Sequence, residues 1–149
     1  MSDLALLRLL HIAGAVLLLG NVTVTGVWAA YLYRARPVVP FRAVARAILW
    51  TDLAFTFGGG ALLTITGILL AIQRGYRVAD TPWLLKGIGA LAVSTLLWLV
   101  LLLPDQWRME RVGPDDDGRL RRLFLRWSIV GWSATALLYY GLYVMVGQH

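Results

Sequence analysis

The sequence has no cysteine, which excludes disulfides, a thiolate nucleophile and cysteine metal sites together. Charge is also scarce: charged residues make up 15% of the chain while hydrophobic ones reach 59%, well beyond the roughly 45–50% of an ordinary soluble domain. The hydrophobic runs lack apolar/polar alternation, so membrane-barrel strands are excluded. The signatures of common soluble enzymes are missing too, with no phosphate-binding glycine loop, no HExxH and no GxSxG elbow. Asn21-Val22-Thr23 has the form of a glycosylation sequon but falls inside an apolar run. These absences argue against an enzyme without naming an activity.

What is present is four apolar blocks, at about 4–33, 47–72, 83–103 and 123–146, in 149 residues of mean hydropathy +0.69. Each block reaches the roughly 20 residues a helix needs to cross about 30 Å of hydrocarbon. The first is far longer than a signal-peptide core and has no basic head before it. The expected fold is therefore all-α, a polytopic membrane protein with one domain over residues 1–149. It is an antiparallel up-down bundle of four transmembrane helices joined by short connections. Pro37 and Pro40 are expected to separate helices one and two, and Pro104 to end helix three, because proline has no amide proton to give a helix interior.

Net charge is +6, and ten of the fourteen basic residues fall in two loops: Arg34, Arg36, Arg42 and Arg46, then Arg108, Arg111, Arg119, Arg121, Arg122 and Arg126. This asymmetry puts loops one and three in the cytoplasm and both termini outside. The arginines are read as topology determinants beside anionic lipid, with no nucleic-acid partner. Trp50, Trp107, Trp127, Tyr31 and Tyr33 would form one interfacial belt, and Tyr76, Trp83, Tyr139, Tyr140 and Tyr143 the other. The run from Gly113 to Gly118 reads as a solvated acidic turn, since it lacks the spacing and length of a calcium loop. No metal site is expected.

Ionisable groups at membrane depth point to function by default, and the stretch ILWTDLAFTFGGGALLTITG from Ile48 to Gly67 carries one. Asp52 lies about 9 Å beyond Arg46 by helical rise, near the level of Thr25 and Trp28, with Asn21 and Thr23 opposite Thr56 to Gly60. One reading joins Asn21, Thr23, Thr25, Asp52 and Thr56 in a buried ligand- or ion-binding network. The other has Asp52 reach the interface and pair with Arg46 or a loop-three arginine. Gly58, Gly59 and Gly60 are candidates for close helix packing. At the opposite end, His11 and Met145 are candidate axial ligands for haem b, with Arg8 or Lys86 answering a propionate; His149 is the sole other histidine.

The segments LLRLLHIAGAVLLLGNVTVTGVW, WTDLAFTFGGGALLTITG, WLLKGIGALAVSTLLWLVLLLPDQWRM and RWSIVGWSATALLYYGLYVMV, in this order, resemble the bacterial predicted integral membrane proteins grouped as domain of unknown function 2269. The distinctive elements are Gly20-Asn21, Trp28, Trp50-x-Asp52, Pro104 with Gln106, Arg108-Met109 and Tyr143-x-Met145. The resemblance implies an architecture but no activity; with the charge asymmetry it gives a multi-pass protein of the bacterial cytoplasmic (inner) membrane with both termini periplasmic. Leu10-His11-Ile12 and Trp83-Leu84-Leu85-Lys86 are similar to motifs of haem-binding four-helix protoporphyrinogen oxidases, which implies His11 as haem ligand and Lys86 as a substrate or propionate partner. Three function classes follow: a ligand-binding or carrier bundle around Asn21 and Asp52, a haem redox protein using His11, and a non-catalytic subunit or scaffold. Partners in all three are the lipid bilayer and either further copies of the chain or a membrane complex.

Overall fold

The computed structural model describes residues 3–113 and 115–147, which form helices joined by turns and short irregular connections. Four helices are each long and apolar enough to cross a membrane: α1 (Asp3–Arg34), α2 (Phe41–Gln73), α3 (Pro82–Glu110) and α4 (Asp117–Gly147). A single 3-10 turn, Val78–Asp80, lies between α2 and α3. We call the end that carries the α1–α2 and α3–α4 connections the basic end, and the other the terminal end.

The helices run past the apolar blocks at the basic end, where α2 starts at Phe41 and α3 continues to Glu110. Pro104 does not end α3 as its chemistry alone suggests. It follows a π-helical turn, Trp98–Leu102, in which the Leu103 amide reaches back to the Trp98 carbonyl. That wider turn relieves the clash a proline ring makes with the carbonyl four residues earlier. A second π-helical segment, Asp52–Phe57, interrupts α2. One extra residue in a turn rotates the next segment by about 100°, so each helix presents different faces before and after it.

The faces sort the bundle into two pairs. Beyond its π-helical segment, α2 packs along α1, and before its own, α3 packs along α4. Glycine makes both contacts close: a Cβ on Gly14 would lie 2.7 Å from the Leu63 amide nitrogen, and one on Gly141 would lie 3.2 Å from the Ala90 Cβ. Of the three consecutive glycines, only Gly59 sits in a helix contact, with a built Cβ 2.9 Å from the Leu18 nitrogen. Gly58 and Gly60 have nothing within 4 Å, which corrects the expectation that all three serve packing. The helix also continues unbroken through them.

The pairs join at the basic end, around a core of Phe41, Val44, Ile48, Trp98, Met109, Phe124 and Trp127. Tyr33 stacks on Phe124 with ring centroids 4.0 Å apart. Trp127 and Tyr33 therefore belong to this core and not to an interfacial belt. Arg36 pairs with Asp117 at 2.7 Å and lies over the Tyr33 ring; the hydrogen bond to that carboxylate holds the Arg36 guanidinium above its ordinary range. Asp116 accepts the Arg119 amide at 3.0 Å, so the described part of the acidic turn caps and ties α4; Pro114 lies outside the described residues. Helices α1 and α4 also touch, but the Gly58–Gln73 part of α2 and the Pro82–Leu97 part of α3 do not meet.

Candidate functional site

Where the two pairs part, they enclose a cavity of about 320 Å³. Its walls include Leu18 and Val22 of α1, Gly60 and Ile65 of α2, Leu91 of α3 and Trp132 of α4. Toward the basic end its polar and indole side chains include Asp52, Thr56, Trp98 and Gln106. Both π-helical segments contribute here, Asp52 and Thr56 from one and Trp98 from the other. Such irregular turns recur at functional sites because they redirect side chains without breaking the helix.

Asp52 is buried, and neutral donors surround its carboxylate. Oδ1 accepts from the Asn21 amide at 2.8 Å and from the Thr56 hydroxyl at 3.2 Å. Oδ2 accepts from the Gln106 amide at 2.6 Å. Asn21 also donates to the Thr56 hydroxyl at 2.9 Å, and Thr25 donates to the Asn21 carbonyl oxygen at 3.4 Å. The Trp98 indole N–H lies beside the same carboxylate without closing a hydrogen bond to it.

Asn21, Thr25, Asp52 and Thr56 are thus one constellation. Thr23 is outside it, donating instead to the Leu19 carbonyl at 2.7 Å and meeting the Tyr139 hydroxyl at 3.0 Å.

The salt-bridge reading of Asp52 does not hold among the described residues. Arg46 pairs with Glu110 at 3.3 Å. Two of the loop-three arginines go to Asp105, a residue the sequence reading passes over: Arg126 Nε is 2.8 Å from Oδ2, its Nη2 meets Oδ1, and Arg108 is 3.1 Å from Oδ1. Two neighbouring carbonyl-bearing side chains on α3 therefore divide the work, Asp105 taking the cations and Gln106 the second carboxylate. Gln106 is 1% exposed, yet its Oε1 has no hydrogen-bond partner among the described residues. The Trp98 and Trp127 indole nitrogens are likewise buried and unpaired.

Gln106 was legible only as part of a family resemblance, because reading Pro104 as a helix end puts it in a loop. A helix that continues past the proline sets it within one turn of the end of the hydrocarbon run, opposite Asp52. Trp98 and Ser94 carry no sequence signal that separates them from packing residues; Ser94 donates to the Ala134 carbonyl at 3.1 Å.

The haem candidates take separate places. His11 Nδ1 lies 3.0 Å from the Leu63 carbonyl and 3.2 Å from the Thr66 hydroxyl, within the α1–α2 pair. Met145 packs on Gly87, within the α3–α4 pair. Arg8 and Lys86 are exposed, and His149 lies outside the described residues. No group of three or more carboxylates and imidazoles able to hold a metal ion occurs among the described residues.

Comparison with curated proteins and with solved structures finds no significant match. A family-level match does exist, and it agrees with a bundle whose four long helices are apolar over membrane length. Over residues 5–148 the chain matches the predicted integral membrane proteins designated domain of unknown function 2269 (DUF2269), and it belongs to that family.

Proposed function

We propose that this protein is a small ligand-binding or carrier bundle of the bacterial cytoplasmic membrane, with its site at Asn21, Thr25, Asp52, Thr56 and Gln106. The observation that carries the reading is a carboxylate at membrane depth that has neutral donors and, among the described residues, no cation, placed on a cavity. A carboxylate kept for stability is normally paired with a charge, because desolvating it alone costs several kcal/mol in order of magnitude. Asp105, with Arg126 and Arg108, is the local example of that structural solution. Asp52 departs from it within one turn of the same helix contact. The ten-to-four partition of basic residues supports cytoplasmic loops one and three and periplasmic termini.

Asp52→Asn tests the reading. The substitution keeps shape, and Gln106 can turn its unpaired Oε1 to accept from the new amide. The thermal midpoint in detergent should hold or rise. Asp52→Leu should lower it, because the Asn21, Thr56 and Gln106 donors are then stranded at about 1–3 kcal/mol each. A cysteine at Gly60, on the cavity wall, should react with a small membrane-permeant thiol reagent. A lowered midpoint for Asp52→Asn, together with an inert cysteine at Gly60, would reduce Asp52 to a structural group.

A further inference from the structure

We propose that the cavity takes a lipophilic amine in its ammonium form, with Asp52 as counter-ion and Gln106 Oε1 as a second acceptor. The inference rests on the binding-site reading above and adds the chemical class of the ligand.

Charge comes first. The donors around Asp52 are amides and a hydroxyl, so they support an ionised carboxylate without neutralising it. Three hydrogen bonds occupy three of the roughly four lone-pair directions of a carboxylate. The negative charge is left for a ligand, with the Trp98 indole N–H beside the fourth direction. Beside it is Gln106, a residue of the cavity lining whose Oε1 is buried and unpaired among the described residues. A buried acceptor without a donor is costly, and an ammonium group supplies both N–H donors and the missing positive charge. The unpaired indole N–H of Trp98 does not make this an anion site, because it lies beside Asp52 itself.

A bare metal ion fits the same charge poorly. Asn21 and Gln106 both turn their amide nitrogens toward the carboxylate, and its two oxygens hold them that way round. A sodium or calcium ion at Asp52 would face N–H groups where it requires oxygens. The volume also argues for an organic body, since about 320 Å³ falls in the range of about 300–1,000 Å³ typical of small-molecule sites.

The surroundings identify that body as apolar. Leu18, Val22, Leu91 and the rings of Trp98, Trp127 and Trp132 line the cavity. Indole faces attract ammonium groups as well as hydrocarbon. The route in is apolar as well: Gly58–Gln73 of α2 and Pro82–Leu97 of α3 do not meet, so the cavity lies behind a gap between two helices that face lipid. A strongly hydrated cation gains nothing by that route, whereas an amine that partitions into the bilayer arrives there already concentrated.

Binding of 2-phenylethylamine to the purified protein in detergent, followed by quenching of the cavity tryptophans, is the test. 2-Phenylethanol and 3-phenylpropionate serve as neutral and anionic matches of similar size. We expect saturable binding of the amine, at least tenfold weaker binding of the alcohol, and none of the acid. Asp52→Asn should erase the advantage of amine over alcohol. The comparison among the three probes is made on the wild-type protein, so it stands even if the variant folds poorly. Equal binding of amine and alcohol would overturn the cation assignment and leave the binding-site reading intact. No saturable binding of any probe would overturn it too, and the site reading would then be decided by the Asp52→Asn midpoint and the Gly60 cysteine.

Discussion

Adding one methyl group to Gly59 should destabilise the bundle, while adding the same group to its neighbour Gly58 should not. A Cβ at Gly59 would lie 2.9 Å from the Leu18 nitrogen, 3.0 Å from the Leu17 Cβ and 3.1 Å from the Gly14 carbonyl oxygen. Comfortable carbon contacts are about 3.5–4.0 Å, and two of these three neighbours are backbone atoms that no rotamer change can move. Helices α1 and α2 must separate by roughly 0.5–1 Å at the crossing, which forfeits a quarter to a half of each contact's well depth there. Overpacking of this kind costs about 1–3 kcal/mol, offset by up to about 1 kcal/mol from alanine's better helix propensity. At Gly58 nothing lies within 4 Å, so only the propensity gain of up to about 1 kcal/mol remains. The two variants should therefore differ by about 2 kcal/mol, with Gly59→Ala the weaker. Gly14→Ala should resemble Gly59→Ala, because its Cβ would meet the Leu63 nitrogen at 2.7 Å. The Gly14→Ala/Gly59→Ala double variant should lose less than the sum, since helices already parted accept the second methyl group. Thermal unfolding in one detergent at one scan rate, followed by tryptophan fluorescence, is the assay. Equal midpoints for Gly58→Ala and Gly59→Ala would refute the close crossing.

Three further outcomes are expected. Arg126→Ala should cost about 1–3 kcal/mol by leaving the buried Asp105 carboxylate to Arg108 alone, and adding Asp105→Asn should recover much of it; a neutral Arg126→Ala would mean that this ion pair contributes nothing. Single cysteines at Asp80 and Asp115 in this cysteine-free chain should label from opposite faces of the membrane, with Asp115 cytoplasmic, and reversed labelling would overturn the proposed topology. His11→Ala should lower the midpoint by about 1 kcal/mol through loss of its contacts to Leu63 and Thr66; a Soret band in the wild-type protein that disappears in this variant would instead assign His11 to haem.

The four helices were legible because hydrocarbon thickness imposes a length that composition alone reveals. Their ends at the basic end were not, because Phe41 to Arg46 and Pro104 to Glu110 lie outside the apolar blocks and form helix through contacts made there. The grouping of Asn21, Thr25, Asp52 and Thr56 followed from helical rise and antiparallel order, which fix depth to within about a turn. Depth does not fix direction around a helix, and so Thr23 was wrongly grouped with Asn21 although it faces Tyr139. Neither π-helical segment has a sequence signature, and each changes the facing of everything beyond it. A reading based on regular helices therefore misses Trp98, which opens the second segment, while taking Pro104 as a helix end hides Gln106.

The uneven joining of the two helix pairs has a mechanical side. The Arg36–Asp117 and Arg46–Glu110 ion pairs and aromatic packing fasten them at the basic end, whereas α2 and α3 stand apart along the sixteen residues of Gly58–Gln73 and of Pro82–Leu97. Sixteen residues of helix form an arm of about 24 Å, with its fulcrum beside Asp52. By that geometry a difference of about 5° at the fulcrum corresponds to about 2 Å at the far tips, so the width between α2 and α3 is set by small angles at the fastened end.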